Sequence, residues 1–183
     1  PTVFGPTSPI LFVMHGTRRN ASDYRDTWIA TAERENALLL CPRFSRRHYS
    51  RHAYHLGNVV AESEALPPER WTFEVIEDLF DEIRAATGST REHYDIYGHS
   101  AGAQFVHRLV LFCPHVRIGT AVAANAGWYT LPAFDGHTFP YGLRRSPATP
   151  YLLDAALGRK LVIMVGCDDR DADDAAIVQA ILS

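Results

Sequence analysis

The chain has 183 residues, 46% hydrophobic and 21% charged, with a net charge of −3 at pH 7. That size and composition predict a single globular domain over residues 1–183, with room for a real core. The acidic balance excludes a global attraction to nucleic acid or anionic membranes, and no apolar run is long enough to span a bilayer. The three cysteines, Cys41, Cys113 and Cys167, each follow an apolar run and read as buried free thiols rather than a disulfide with one left over. The opening Pro1-Thr2-Val3 is neither an initiator methionine nor a signal peptide, so compartment stays open between cytoplasmic and secreted, as does oligomeric state.

Pro9 to Met14 is a continuous apolar run, as expected of a parallel strand covered on both faces, and it ends in His15-Gly16-Thr17. Asn20 offers an N-cap for a helix reaching about Glu35. A second buried strand, Ala37 to Cys41, stops at Pro42. From Arg43 to Pro68 the sequence is irregular and rich in Arg, His and Tyr. It predicts a long loop with one or two helical turns over the sheet edge or the site. Thr72 is the expected cap of an amphipathic helix that buries Ile76, Leu79, Phe80 and Ile83 and ends at Gly88. Tyr94 to Tyr97 begins a further strand, and Gln104 to Phe112 is helix-like. A strand over Arg117 to Ala123 follows, then a Gly/Pro-rich surface loop or small cap over 133–150, and a short helix over Leu152 to Leu157. The last strand runs from Leu161 to Gly166 and the last helix from Asp173 to Leu182. Strands alternating with helices predict an α/β fold with a mostly parallel sheet flanked by helices.

Between the strand at Tyr97 and the helix at Gln104 stands Gly98-His99-Ser100-Ala101-Gly102. A serine on so sharp a strand–turn–helix corner is held out from the sheet, and side chains two residues either side of it would collide with neighbouring elements. Ser100 is therefore the candidate nucleophile, with the Ala101 amide free to bind an oxyanion. His15-Gly16-Thr17 ends a strand expected beside this one, which makes the Thr17 amide the second oxyanion donor. Acids follow the last strand at Asp168, Asp169 and Asp171, where a histidine-orienting carboxylate is needed.

No histidine follows His137, although the chain order serine, acid, histidine asks for one beyond the acid. His107 and His115 lie on or past the helix, and His99 is expected to point away from its neighbour Ser100. We place His15, Gly16, His99, Trp128 and Tyr129 among the residues around the substrate. Trp128 and Tyr129, with Phe134, Phe139 and Tyr141, either line an apolar acyl pocket or pack a cap. His48, His52 and His55 share helical spacing reminiscent of metal ligands, but the surrounding arginines oppose a cation, so a polar loop at the mouth of the site is expected and no metal.

These motifs resemble the α/β-hydrolase superfamily: Val13-Met14-His15-Gly16-Thr17 with Tyr24-Arg25-Asp26 and Trp28, then Gly98 through Arg108. Asn125-Ala126-Gly127-Trp128-Tyr129 and Phe139-Pro140-Tyr141-Gly142-Leu143 are similar to its polyhydroxybutyrate-depolymerase-like esterases. The resemblance implies a serine esterase without cofactor, acting on a small or polymeric ester. It implies that the acid is Asp169, three residues past the glycine that closes its strand. It also implies antiparallel strands before the His-Gly strand and a further strand with a catalytic histidine after the acid, neither of which these residues contain. The expectation is a fragment of a longer ester hydrolase, the alternatives being a non-catalytic binding protein or an amide or peptide hydrolase on the same fold.

Overall fold

In a computed structural model, residues 3–62 and 64–167 are described. The predicted helix from Asp173 and the acids Asp168, Asp169 and Asp171 lie outside them.

Five strands form one parallel sheet: β1 (Ile10–Met14), β2 (Leu38–Leu40), β5 (Tyr94–His99), β6 (Ile118–Ala124) and β7 (Leu161–Met164). Their spatial order is β2-β1-β5-β6-β7. The chain runs outward from β1 to β2, then returns past β1 to build the other half. The direction of winding therefore reverses between β1 and β5. Loops leaving the carboxyl ends of two such strands diverge and open a crevice, the usual ligand position in open parallel sheets. His15-Gly16-Thr17 leaves β1 at that point, and Ser100 leaves β5.

Helices α1 (Ala21–Arg34), α3 (Glu74–Thr87), α4 (Ala101–Phe112) and α5 (Pro150–Leu157) supply the crossovers. α4 begins at Ala101, directly after Ser100 and three residues earlier than its apolar pattern suggests. All its residues are buried, because the sheet lies on one side and a second layer covers the other. Part of that layer is α2 (Arg51–Leu56), which supplies the one or two helical turns expected within the irregular 43–68 segment. A two-stranded ribbon, β3 (Val60–Ala61) and β4 (Glu64–Ala65), follows it. The 133–150 segment folds back on itself through Leu143 N to Ala133 O and Leu131 N to Tyr141 O, both 2.8 Å. Phe139 packs edge-on against Phe112 of α4, with ring centroids 5.7 Å apart.

Two caps differ from expectation. The cap of α3 is Phe73, without a side-chain cap bond, and not Thr72. Phe73 is drawn into the core beneath Gly57, where a Cβ on the glycine would sit 1.9 Å from the ring, and Thr72 N–H is spent on Gly57 O at 2.9 Å. Burial of an aromatic ring outweighs about 1 kcal/mol of capping. Asn20 does stand at the α1 cap, but its side-chain amide donates to Asp23 Oδ2 at 2.6 Å rather than capping the backbone. Among the described residues no helix is long and apolar enough to cross a membrane. Of the cysteines, Cys113 is buried and Cys41 half-buried, whereas Cys167, expected to be buried, is exposed just past the end of β7.

Candidate active site at the β1–β5 crevice

Ser100 occupies φ 55°, ψ −116°, a region that costs an L-residue about 1–3 kcal/mol. The surroundings impose this conformation. Ser100 N–H donates to Ala124 O of β6 at 3.0 Å, and Ser100 O accepts from Gln104 N at 3.1 Å to start α4. The glycines have specific steric reasons. A Cβ on Gly98 would meet Gly102 O at 2.2 Å, and a Cβ on Gly102 would meet Met14 O at 2.2 Å. The start of α4 thus lies backbone-to-backbone on the ends of β5 and β1. Ala101 is the first residue of α4, where an N–H has no partner within the helix.

The loop leaving β1 meets the same corner. A Cβ built on Gly16 would be 3.7 Å from Ser100 Cβ and 3.0 Å from Tyr24 Oη. His15 is fully buried. Its Nε2 accepts from Phe44 N–H at 3.1 Å, which leaves Nδ1 protonated to donate to Gly16 O at 3.0 Å. Tyr54 Oη donates to His15 O at 2.7 Å. Burial holds the imidazole pKa below its ordinary value, so it is neutral. With both ring nitrogens on backbone atoms, His15 fixes the shape of the loop and presents no ring nitrogen to a ligand. Thr17 is exposed, and its carbonyl accepts from Arg46 Nη2 at 3.2 Å. His99 is turned to Tyr24, Nδ1 to Oη 2.9 Å.

At the other side of the elbow, β6 and β7 are joined beyond their ladder. Asn125 sits at φ 48°; its N–H donates to Met164 O and its Oδ1 accepts from Gly166 N–H, both at 2.8 Å. Tyr129 Oη donates to Ala123 O at 3.2 Å and accepts from Ala126 N at 3.3 Å. The end of β6 therefore touches the serine through Ala124 and the exit of β7 through Asn125. The geometry brings together Ser100, Ala101, Gly16 and His99. Tyr129 is spent on the β6–β7 junction, and Trp128 lines a separate cavity of about 340 Å³ with Arg51, His52, His55 and Leu56.

None of the nine histidines hydrogen-bonds the Ser100 hydroxyl among the described residues. His107 donates Nδ1–H to Ala103 O at 2.8 Å and accepts from Thr130 N at 3.0 Å, and His115 contacts Glu74 at 3.1 Å. His48 bonds Ser45 Oγ at 3.2 Å, His52 bonds Val60 O, and His55 lies buried beneath α2, so the three do not converge on one point. Sequence reasoning missed Tyr24, Tyr54, Asn125 and Arg108. Tyr24, Arg108 and Asn125 stood inside the motifs that carry the resemblance without a role of their own, and Tyr54 carried no signal.

The arrangement matches solved structures over nearly its whole length. One is poly(aspartic acid) hydrolase-1 from Sphingomonas sp. KT-1, 44% identical with a TM-score of 0.88 over 93% of this chain. Another is LpqC, a poly(3-hydroxybutyrate) depolymerase from Bordetella parapertussis, 36% identical with a TM-score of 0.86, again over 93%. The chain has the α/β-hydrolase fold. The chain spans 65% and 59% of the lengths of those two relatives. An IroE-like serine hydrolase from Shewanella oneidensis shares this α/β-hydrolase fold at 10% identity, with a TM-score of 0.53 over 96% of this chain and 69% of its own. No protein-family model matches the chain, and no curated protein does.

Proposed function

We propose that the chain carries the nucleophile and oxyanion elements of a serine hydrolase that cleaves carboxylic esters through an acyl-enzyme on Ser100. The observation that carries this reading is the strained backbone of Ser100, φ 55° and ψ −116°, at the crevice mouth beside the Gly16 loop. Strain of this kind persists only where surrounding contacts over-determine it, and it serves to hold a hydroxyl clear of the sheet. The hydroxyl attacks the ester carbonyl while a histidine takes its proton. The Ala101 and Thr17 amides hold the tetrahedral oxyanion, and collapse expels the alcohol, which receives that proton. Water then cleaves the acyl-enzyme by the same steps, releasing the acid and regenerating Ser100. Asp169 orients that histidine. Neither step needs a metal or organic cofactor.

Within this scheme His15 positions the oxyanion loop, and Asn125 holds the exit of β7 that leads to Asp169. His99 braces Tyr24 beside Gly16. A polymeric substrate is supported by the two polymer-degrading relatives. The poly(aspartic acid) hydrolase favours a second reading, hydrolysis of amide links, on the same residues. Fluorophosphonate labelling of Ser100 in the full-length protein tests the serine mechanism. Rates on matched p-nitrophenyl ester and p-nitroanilide substrates decide between ester and amide.

A further inference from the structure

Beyond the Gly16 loop, where β2 ends and α1 begins, lies a second cavity of about 460 Å³. Arg19, Arg25 and Arg43 line it, and no described carboxylate does. Arg19 is tied to the loop, its N–H donating to Gly16 O at 3.1 Å. It keeps 7% of its surface, and its guanidinium donates only to the neutral carbonyls of Phe44, Tyr49 and Ser50. The charged group that acts on it is another cation, Arg46. Arg43 is exposed, and its side chain makes no hydrogen bond or ion pair among the described residues. Arg25 gives Nε and Nη2 to Asp26 at 2.8 and 2.7 Å, which leaves Nη1. Asp23 is taken by the Asn20 amide at 2.6 Å, so Asn20 does not cap α1. Ala21 and Ser22, whose N–H groups open that helix without intrahelical partners, line the same cavity. Leu39 and Cys41 complete the lining, and burial pushes the Cys41 thiol up to about 11, so it is neutral.

A buried guanidinium held only by carbonyls keeps an unneutralised charge, which an anion offsets far better than another neutral acceptor. Three guanidiniums beside an uncapped helix N-terminus favour a doubly charged ligand over a singly charged one. A phosphate monoester carries about −1.5 to −2 charge at neutral pH, and its oxygens suit both the guanidinium fork and helix-opening amides. The volume is in the range of small-molecule sites and holds more than a phosphate group alone. Leu39, Ala21 and the neutral Cys41 thiol offer the remainder an apolar surface.

We propose that this cavity binds a phosphomonoester, with its phosphate on Arg43, Arg25 and the opening of α1, and its organic part against Leu39 and Cys41. The site does not depend on the hydrolase reading. The probe is phenyl phosphate, titrated into the ¹⁵N-labelled full-length protein while the Ala21 and Ser22 amide signals are followed. Both signals are expected to move saturably. Inorganic phosphate should bind about tenfold more weakly, for want of the apolar contact, and the singly charged benzoate more weakly than phenyl phosphate by at least as much. Arg43→Ala should weaken phenyl phosphate about tenfold. Arg34→Ala removes the same charge at the other end of α1 and should leave the affinity unchanged. Signals that phenyl phosphate does not move overturn the proposal, as does equal affinity for benzoate or for inorganic phosphate. Equal weakening in the two variants also overturns it, since net charge and not this cavity would then hold the ligand. Binding is read without turnover, so an inert Ser100 would not be mistaken for failure here.

Discussion

Tyr54 and His55 are consecutive residues of α2, and they face two differently finished parts of the molecule. On the Tyr54 side no buried side-chain nitrogen or oxygen of Tyr54, His15 or Arg19 lacks a partner among the described residues. The Tyr54 hydroxyl holds the His15 carbonyl at 2.7 Å, and its ring stacks 5.0 Å from Phe44 and 5.6 Å from Phe105. The buried Arg19 lies 4.2 Å over the same ring and donates from Nη1 to the carbonyl of Phe44 and from Nη2 to those of Tyr49 and Ser50. On the His55 side, a second buried arginine keeps an N–H unspent beside two other unpartnered nitrogens. Both arginines lie in the core, so burial alone does not distinguish them. Satisfaction does: the Arg19 network fixes the loop beside Ser100, whereas the Arg108 network leaves Nη2 without a partner among the described residues.

The largest effect sharpens this contrast at its catalytic end. Ser100→Ala is expected to lower kcat of the full-length enzyme by about 10⁴ or more, with the fold unchanged by circular dichroism. Gly102→Ala attacks the finished side directly, since its Cβ would stand 2.2 Å from Met14 O and force α4 away from β1. Urea denaturation should show a loss of about 3 kcal/mol. Tyr54→Phe deletes one hydrogen bond to His15 O and should cost about 1.5 kcal/mol while lowering kcat more than it changes KM. Trp128→Phe removes an N–H that bonds nothing among the described residues and should cost only about 0.5 kcal/mol. Equal losses in these two variants would break the comparison.

A pH dependence is shared by both sides. Burial lowers the pKa of His15 and His107 from 6.5, and that of His55 to about 4. The unfolded chain then binds protons before the folded one does. Stability is full above about pH 6.5 and is lost as pH falls from there toward 4. Tm measured at steps across that window should decline as pH drops; a flat profile would mean these imidazoles are charged in the folded state.

The parts legible in the sequence were those fixed by local sterics and continuous burial. Apolar runs such as Ile10 to Met14 can only be covered strands, and Gly98 and Gly102 mark where backbones touch. Long-range pairings left no such trace. The α2 segment reads as no more than a turn or two of helix in a loop because its anchor is the single ring of Tyr54, set among aromatic partners far apart in sequence. Nothing in the sequence announces the burial of Arg108, since no local pattern says that α4 is buried all round. Thr72 looks like a better cap than Phe73 until the pocket under Gly57 is known. The glycine-framed serine was visible from sequence, whereas the brace formed by His15, Phe44 and Tyr54 required the fold.

The central claim is that Ser100 is built as a nucleophile. The most direct measurement is peptide mass spectrometry of the full-length protein after treatment with a fluorophosphonate. The account predicts a single phosphonyl adduct on Ser100 that is absent from Ser100→Ala and appears in step with loss of esterase activity. An unmodified Ser100, or loss of activity with the adduct on another residue, would contradict it.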